Sequence, residues 1–145
     1  MSKILRMKSL PKTKIQPIGK PKIIRVKGDP TSKGKSESQI EKEIISWLTA
    51  SNIVFWPIKI KGDPTLTRNG IRFKKNKNRG FSDIHVCHNG RAIYLEVKKC
   101  GGECSQDQLD TQMRVRSQGR GIYEFVTSVQ EAKNAIFGEN FMEAS

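Results

Sequence analysis

Residues 83–98, DIHVCHNGRAIYLEVK, constrain this chain more than any other stretch. DIHVC and RAIYLEVK are rich in β-branched and aromatic residues, and His88-Asn89-Gly90 lies between them. Asn-Gly between two such runs is a strong signal for an antiparallel hairpin. Alternate side chains of the second strand share a face. Ile93, Leu95 and Val97 point one way; Tyr94, Glu96 and Lys98 point the other. Pairing about the turn brings Asp83 to the level of Glu96 and Lys98. Two carboxylates and an ammonium converge at one end of the hairpin. Charges on a face that can be buried are costly unless paired or bound to an ion.

The elements around this hairpin follow from periodicity and punctuation. SESQIEKEIISWLTASN, 36–52, has Ile40, Ile44, Ile45, Trp47 and Leu48 at helical spacing, with a capping box from Ser36 and Gln39 or from Ser38 and Glu41. IVFWPIKI, 53–60, reads as a strand broken near Pro57. Residues 61–80 read as a long loop or loose hairpin. They carry Lys61, Arg68, Arg72, Lys74, Lys75, Lys77 and Arg79, a nucleic-acid-binding set. Ser105 caps a helix running to about Ser117, residues 122–126 form a strand, and Ser128 caps a last helix to about Phe137. Helix, three strands, helix, strand and helix make a mixed α/β or α+β domain on one central sheet flanked by helices.

Charge is concentrated at the N-terminus. Residues 1–35 hold eleven lysines and arginines against one acid, Asp29, or +10 of the formal +13. With Pro11, Pro17, Pro21 and Pro30 they read as a flexible basic arm, 1–35, ahead of a domain at 36–145; KIIRV within it could join a sheet edge. A chain this basic points to nucleic acid, gripped through counterion release. No apolar run reaches the length of about 20 residues that spans a membrane. Three cysteines without a signal-type segment point to reduced thiols in the cytoplasm.

A bare Glu-x-Lys is most often a surface salt bridge. Here Asp83 follows Gly-Phe-Ser at the start of the preceding strand, and the trio suits metal-assisted phosphodiester hydrolysis. Two carboxylates hold Mg²⁺, which takes phosphate oxygens as further ligands. The metal lowers the pKa of a bound water, and a lysine can orient that water or stabilise developing charge.

The order Gly80-Phe81-Ser82-Asp83, Glu96-Val97-Lys98, Gly101-Gly102, then Ser105 and Gln108 resembles the PD-(D/E)XK nuclease superfamily, and most closely the VRR-NUC family of replication and repair nucleases. The resemblance spans about 36–137. It departs at Ser82, where the family has Pro, and in the lysine-rich insertion at 61–80. It implies a restriction-endonuclease-like core and a Mg²⁺- or Mn²⁺-dependent endonuclease, selective for branched or junction DNA in replication, recombination or repair. A phage-type stand-alone domain, the host cytoplasm and a homodimer are further implications.

Carried over by position, Asp83, Glu96 and the Val97 carbonyl would bind the metal. Lys98 would serve the attacking water. Gln108 would position Lys98, the metal water or the phosphate. Glu37 matches the first-helix glutamate of the family and Glu41 the spacing in archaeal Holliday junction resolvases; both stay open. They share a stripe with Ile40, Ile44 and Leu48, and Glu43 sits away from it.

Other readings weigh less. His85, Cys87, His88, Cys100 and Cys104 lack paired zinc-ligand spacing. The surroundings of Trp47, Phe55 and Trp56 favour core packing over base stacking. The rival functions are a non-catalytic basic nucleic-acid-binding protein and a sequence-specific, restriction-type nuclease with 61–80 as its reading element.

Overall fold

The computed structural model describes residues 22–59, 64–73, 80–118 and 121–138. In chain order the elements are β1 (Ile24–Arg25), a 3-10 turn (Pro30–Ser32), α1 (Glu37–Ala50), β2 (Val54–Pro57), β3 (Pro64–Thr67), β4 (Gly70–Phe73), β5 (Ile84–His88), β6 (Arg91–Val97), β7 (Glu103–Cys104), α2 (Gln106–Ser117), β8 (Ile122–Val126) and α3 (Val129–Phe137). The protein is a mixed α+β fold. Its central sheet has the order β2-β5-β6-β8, with the first two pairings antiparallel and β6–β8 parallel. Parallel strands need a long crossover, and α2 supplies it.

The hairpin forms where the sequence predicts it, with β5 one residue later than expected and the connection shortened to Asn89-Gly90. Asn89 and Gly90 both have positive φ, 49° and 72°, which makes a two-residue type I′ turn. His88 then pairs with Arg91, and β5 begins at Ile84. Asp83 therefore lies just before the strand rather than in it. At the start of α1 the capping box closes on Ser36 and Gln39, not on Ser38 and Glu41.

The two faces of the sheet differ in chemistry. Ile84, Val86, Ile93, Leu95, Val97 and Val126 pack against Ile40, Ile44 and Leu48 of α1 and Ala132 and Ile136 of α3. Nonpolar burial on this side supplies the main driving force for folding. The opposite face carries α2, which buries none of its own residues and lies over β8. Its hold is partly polar: Gln112 Nε2 donates to the Tyr123 carbonyl at 3.0 Å. This thinly covered face carries Glu96.

The expectation of a free arm through residue 35 is corrected over 22–35. β1 pairs with β7 in a separate two-stranded ribbon. Asp29 N–H donates to Thr127 Oγ1 at 2.7 Å, Cys100 Sγ donates to the Asp29 carbonyl at 3.0 Å, and Ser32 is buried. The strap fits because Gly28 has φ +77° and no side chain; a Cβ there would lie 2.8 Å from Cys100 Sγ. Residues 1–21 lie outside the described residues. In the basic insertion, β3 and β4 form a hairpin of their own, with Arg68 and Arg72 exposed. Lys61, Lys74, Lys75, Lys77 and Arg79 fall outside the described residues. Among the described residues no helix is long and apolar enough to cross a membrane.

Candidate active site

The strand period places Glu96 between Leu95 and Val97, so its neighbours enter the core while it faces α2. β6 stays in register past its end: Lys98 N–H donates to the Val126 carbonyl at 2.9 Å. Asp83 is held from both sides. Its carbonyl accepts Ile58 N–H at 2.7 Å, and its Oδ2 accepts Val97 N–H at 2.8 Å. The structure thus gathers Asp83, Glu96 and Lys98 at one end of the hairpin.

The loop before Asp83 is anchored by Gly80. Its φ is +81°, and a Cβ there would lie 2.3 Å from the Asp107 carbonyl oxygen on α2. Tyr123 Oη donates to the Gly80 carbonyl at 2.9 Å. Only glycine lets the loop approach the helix this closely. Ser82, in the position where the VRR-NUC pattern has proline, is buried.

Gln108 takes a different partner from those expected. Its Nε2 donates to Glu96 Oε1, while its own Oε1 accepts Ser105 N–H at 3.0 Å. Ser105 Oγ completes the capping box by accepting Gln108 N–H at 3.2 Å. One side chain therefore closes the N-terminus of α2 and holds the Glu96 carboxylate. It bonds to Glu96 instead of to Lys98.

Glu96 is 5% exposed and Lys98 9%. Lys98 Nζ stands 3.6 Å from Glu96 Oε1. Glu96 Oε2 is buried without any hydrogen-bond partner. Burial, and then the charge of Asp83, push the Glu96 pKa up to about 8, with Lys98 opposing. The Asp83 pKa is also raised. Burial is the main cause, the Val97 N–H opposes it, and the charges of Glu41 and Glu37 add to it. With both carboxyls ionised, the negative charge here would exceed what one lysine balances, so burial and this excess together keep Glu96 protonated up to about pH 8.

Both candidate acids of α1 act on this pair from a distance. Glu41 is half-buried and bears on Asp83 more strongly; Glu37 is exposed and bears on both carboxylates. Glu43 is paired with Lys35 at 2.8 Å, away from the site. Among the described residues no group of three or more His, Cys, Asp or Glu side chains is gathered closely enough to hold a metal ion. Cys87, Cys100 and Cys104 are free thiols.

The aromatic residues divide. Trp47 packs edge-on against Phe137 at 6.1 Å, and Phe55 packs against the core. Trp56 instead is 53% exposed on the other face, which corrects the expectation of core packing. Strand alternation decides it: Phe55 and Trp56 are adjacent, so only one of them can face the core. A ring cluster beside Asp83 escaped the sequence reading. Phe81 stacks on His85 and His85 meets Tyr94 edge-on. Burial holds the His85 pKa below its ordinary value, so the ring is neutral at pH 7. The signal was present in the Asn-Gly turn, whose register sets His85 opposite Tyr94.

No protein-family model matches the chain, and no curated protein matches it.

Proposed function

We propose that this chain is a Mg²⁺- or Mn²⁺-dependent endonuclease of the VRR-NUC type that hydrolyses phosphodiester bonds in DNA. The observation that carries the reading is the half-buried Asp83 beside the buried Glu96, with Lys98 next to them and Glu96 Oε2 left unpartnered. An orphaned carboxyl oxygen, beside a second acid whose charge helps keep Glu96 protonated, fits a cation that would take the place of that proton. Mg²⁺ suits the donor set, because it needs only one or two protein carboxylates and takes the rest of its shell from water and phosphate. A three-side-chain cluster is not required.

Asp83 and Glu96 would hold the ion, with the Val97 carbonyl as a further donor. The N–H and C=O of one extended residue point to the same strand edge, so the Val97 carbonyl faces the side of Asp83. When bound, the metal activates a water and offsets charge on the phosphate. Glu96 must lose its proton to serve, and Lys98 favours that loss. Gln108 fixes the Glu96 rotamer from the start of α2. Lys98, 9% exposed, is held in place to orient the attacking water and stabilise charge as the bond breaks.

The partner is DNA, with branched or junction forms cut during replication, recombination or repair. Arg68 and Arg72 on the β3–β4 hairpin and the basic N-terminal sequence grip the backbone. A homodimer would make the paired incisions that junctions need, in the cytoplasm, or that of the host for a phage-encoded chain. One observation favours a second reading, a non-catalytic nucleic-acid-binding protein: Lys98 Nζ stands 3.6 Å from Glu96 Oε1, as in a structural ion pair.

Cleavage of a labelled panel decides between them. Linear duplex, single strand, flap and four-way junction are incubated with Mg²⁺, Mn²⁺ or EDTA, beside Lys98→Ala. Metal-dependent cutting that the variant loses supports the nuclease. Tight binding without cutting under either metal leaves the binding protein.

A further inference from the structure

The sheet face that carries Glu96 is covered unevenly. α2 lies over β8, while Val54, Trp56 and Cys87 on the β2–β5 side of that face are exposed. Trp56 is the cross-strand partner of His85, and His85 of Tyr94. Cross-strand partners have Cβ atoms about 5 Å apart, so three rings stand in a row across three strands. Phe81, two residues before Asp83, lies over His85 with centroids 5.7 Å apart and planes 26° from parallel. Phe81 is 48% exposed and Trp56 53%. Phe81, His85, Tyr94, Val115 and Tyr123 line a cleft of about 190 Å³ there.

Trp56 and Phe81 are exposed and flank the half-buried His85 and Tyr94, and charge selects among the candidates to cover them. The chain carries +13, so like charge disfavours a second copy on this face, and the homodimer proposed above would use another surface. Arg114 lines the adjoining cleft with Thr111 and Val115. A nucleic-acid strand offers phosphates for the basic groups and flat apolar faces for the rings. In a duplex those faces are covered by neighbouring bases; in unpaired nucleotides they are free.

We propose that Trp56, Phe81, His85 and Tyr94 form a stacking platform for unpaired bases next to the scissile phosphate. The substrate class is then DNA with single-stranded nucleotides beside the cut, as in a flap, a gap or an opened junction. This rests on the phosphodiesterase reading, because the position of Phe81 before Asp83 links the platform to the cut.

The test needs no cleavage. Trp47 lies on the core side of the sheet, and Trp47→Phe leaves Trp56 as the sole tryptophan. This protein is titrated with oligothymidylate in EDTA. Trp56 fluorescence is expected to quench saturably, with a blunt duplex quenching much less. Affinity for labelled oligothymidylate should fall on the order of tenfold or more in Trp56→Ala and in Phe81→Ala, while Trp56→Phe retains most of it. Phe81→Leu keeps apolar bulk and should still lose affinity if stacking is the cause. Unchanged fluorescence at saturation, or wild-type affinity in these variants, overturns the platform. So does Trp56→Ala dissociating a dimer in sedimentation while oligothymidylate affinity stays the same, which would make the face a contact between copies. Quenching in EDTA without cutting in metal would sink the nuclease and keep the platform; cutting without quenching would do the reverse.

Discussion

Asp83 Oδ2 accepts the backbone N–H of Val97 at 2.8 Å, so one acid of the pair is held by the peptide group adjoining the other. The bond fixes the spacing of Asp83 and Glu96 before any ligand arrives. It also keeps two carboxyls together where burial raises both pKa values and the charge of Asp83 raises that of Glu96 further, an arrangement that stability alone disfavours.

Asp83→Asn tests whether the bond or the charge matters. Asparagine Oδ1 can still accept from Val97, so the fold should hold, with a melting temperature equal to or above that of the original protein. Metal-dependent cleavage should fall on the order of a hundredfold or more. Gel cleavage assays and thermal melts check both. Full cleavage by this variant would remove Asp83 from the site.

Glu96 makes stability depend on pH. Its pKa rises from 4.5 to about 8 on folding. Between those values the folded state keeps a proton that the unfolded chain has lost. Stability therefore falls as pH rises through this window, by at most about 1.4 kcal/mol per unit. Glu96→Gln should abolish this component. Mg²⁺ or Mn²⁺ should stabilise the protein more at pH 8 than at pH 5, where protons compete for the carboxylates. Denaturant titrations of both proteins across the window, with EDTA or metal, measure the difference. Identical slopes in the two proteins would mean that Glu96 is not the titrating group.

Gln108 has two roles that one substitution separates. Glutamate also serves in a capping box, so Gln108→Glu should keep the start of α2 closed. It sets a third carboxylate against Glu96. Metal affinity or cleavage should drop about 10–100-fold with helix content preserved in circular dichroism. Gln108→Ala should also lose about 1 kcal/mol of capping stability. Full activity in Gln108→Glu would limit Gln108 to the cap.

Truncations should differ sharply. Deleting residues 1–21 removes six basic residues and no acid. DNA binding should weaken, and each lost phosphate contact should flatten the salt slope by about 0.9. Deleting residues 1–35 also removes the Asp29–Thr127 bond, the Asp29–Cys100 bond and the β1–β7 ribbon, and should lower the melting temperature. Binding isotherms across salt concentrations and thermal melts separate the two effects. An unchanged salt slope in the shorter deletion would show that residues 1–21 do not contact phosphate.

Local rules in the sequence settled much of this protein. Asn89-Gly90 set the hairpin and its register, alternation put Ile93, Leu95 and Val97 in the core, and Ser36, Ser105 and Ser128 marked where the helices begin. From these alone Asp83, Glu96 and Lys98 came together, because a two-residue turn leaves little freedom in what faces what. Tertiary structure decided everything that depends on which face is covered. It docked residues 22–35 onto Thr127 and Cys100, since those partners are about 70 to 100 positions away and leave no local periodicity. It turned Gln108 onto Glu96, a contact made only when α2 folds back over the sheet. It left Trp56 exposed, because composition says that a ring is apolar but only packing says what lies above it.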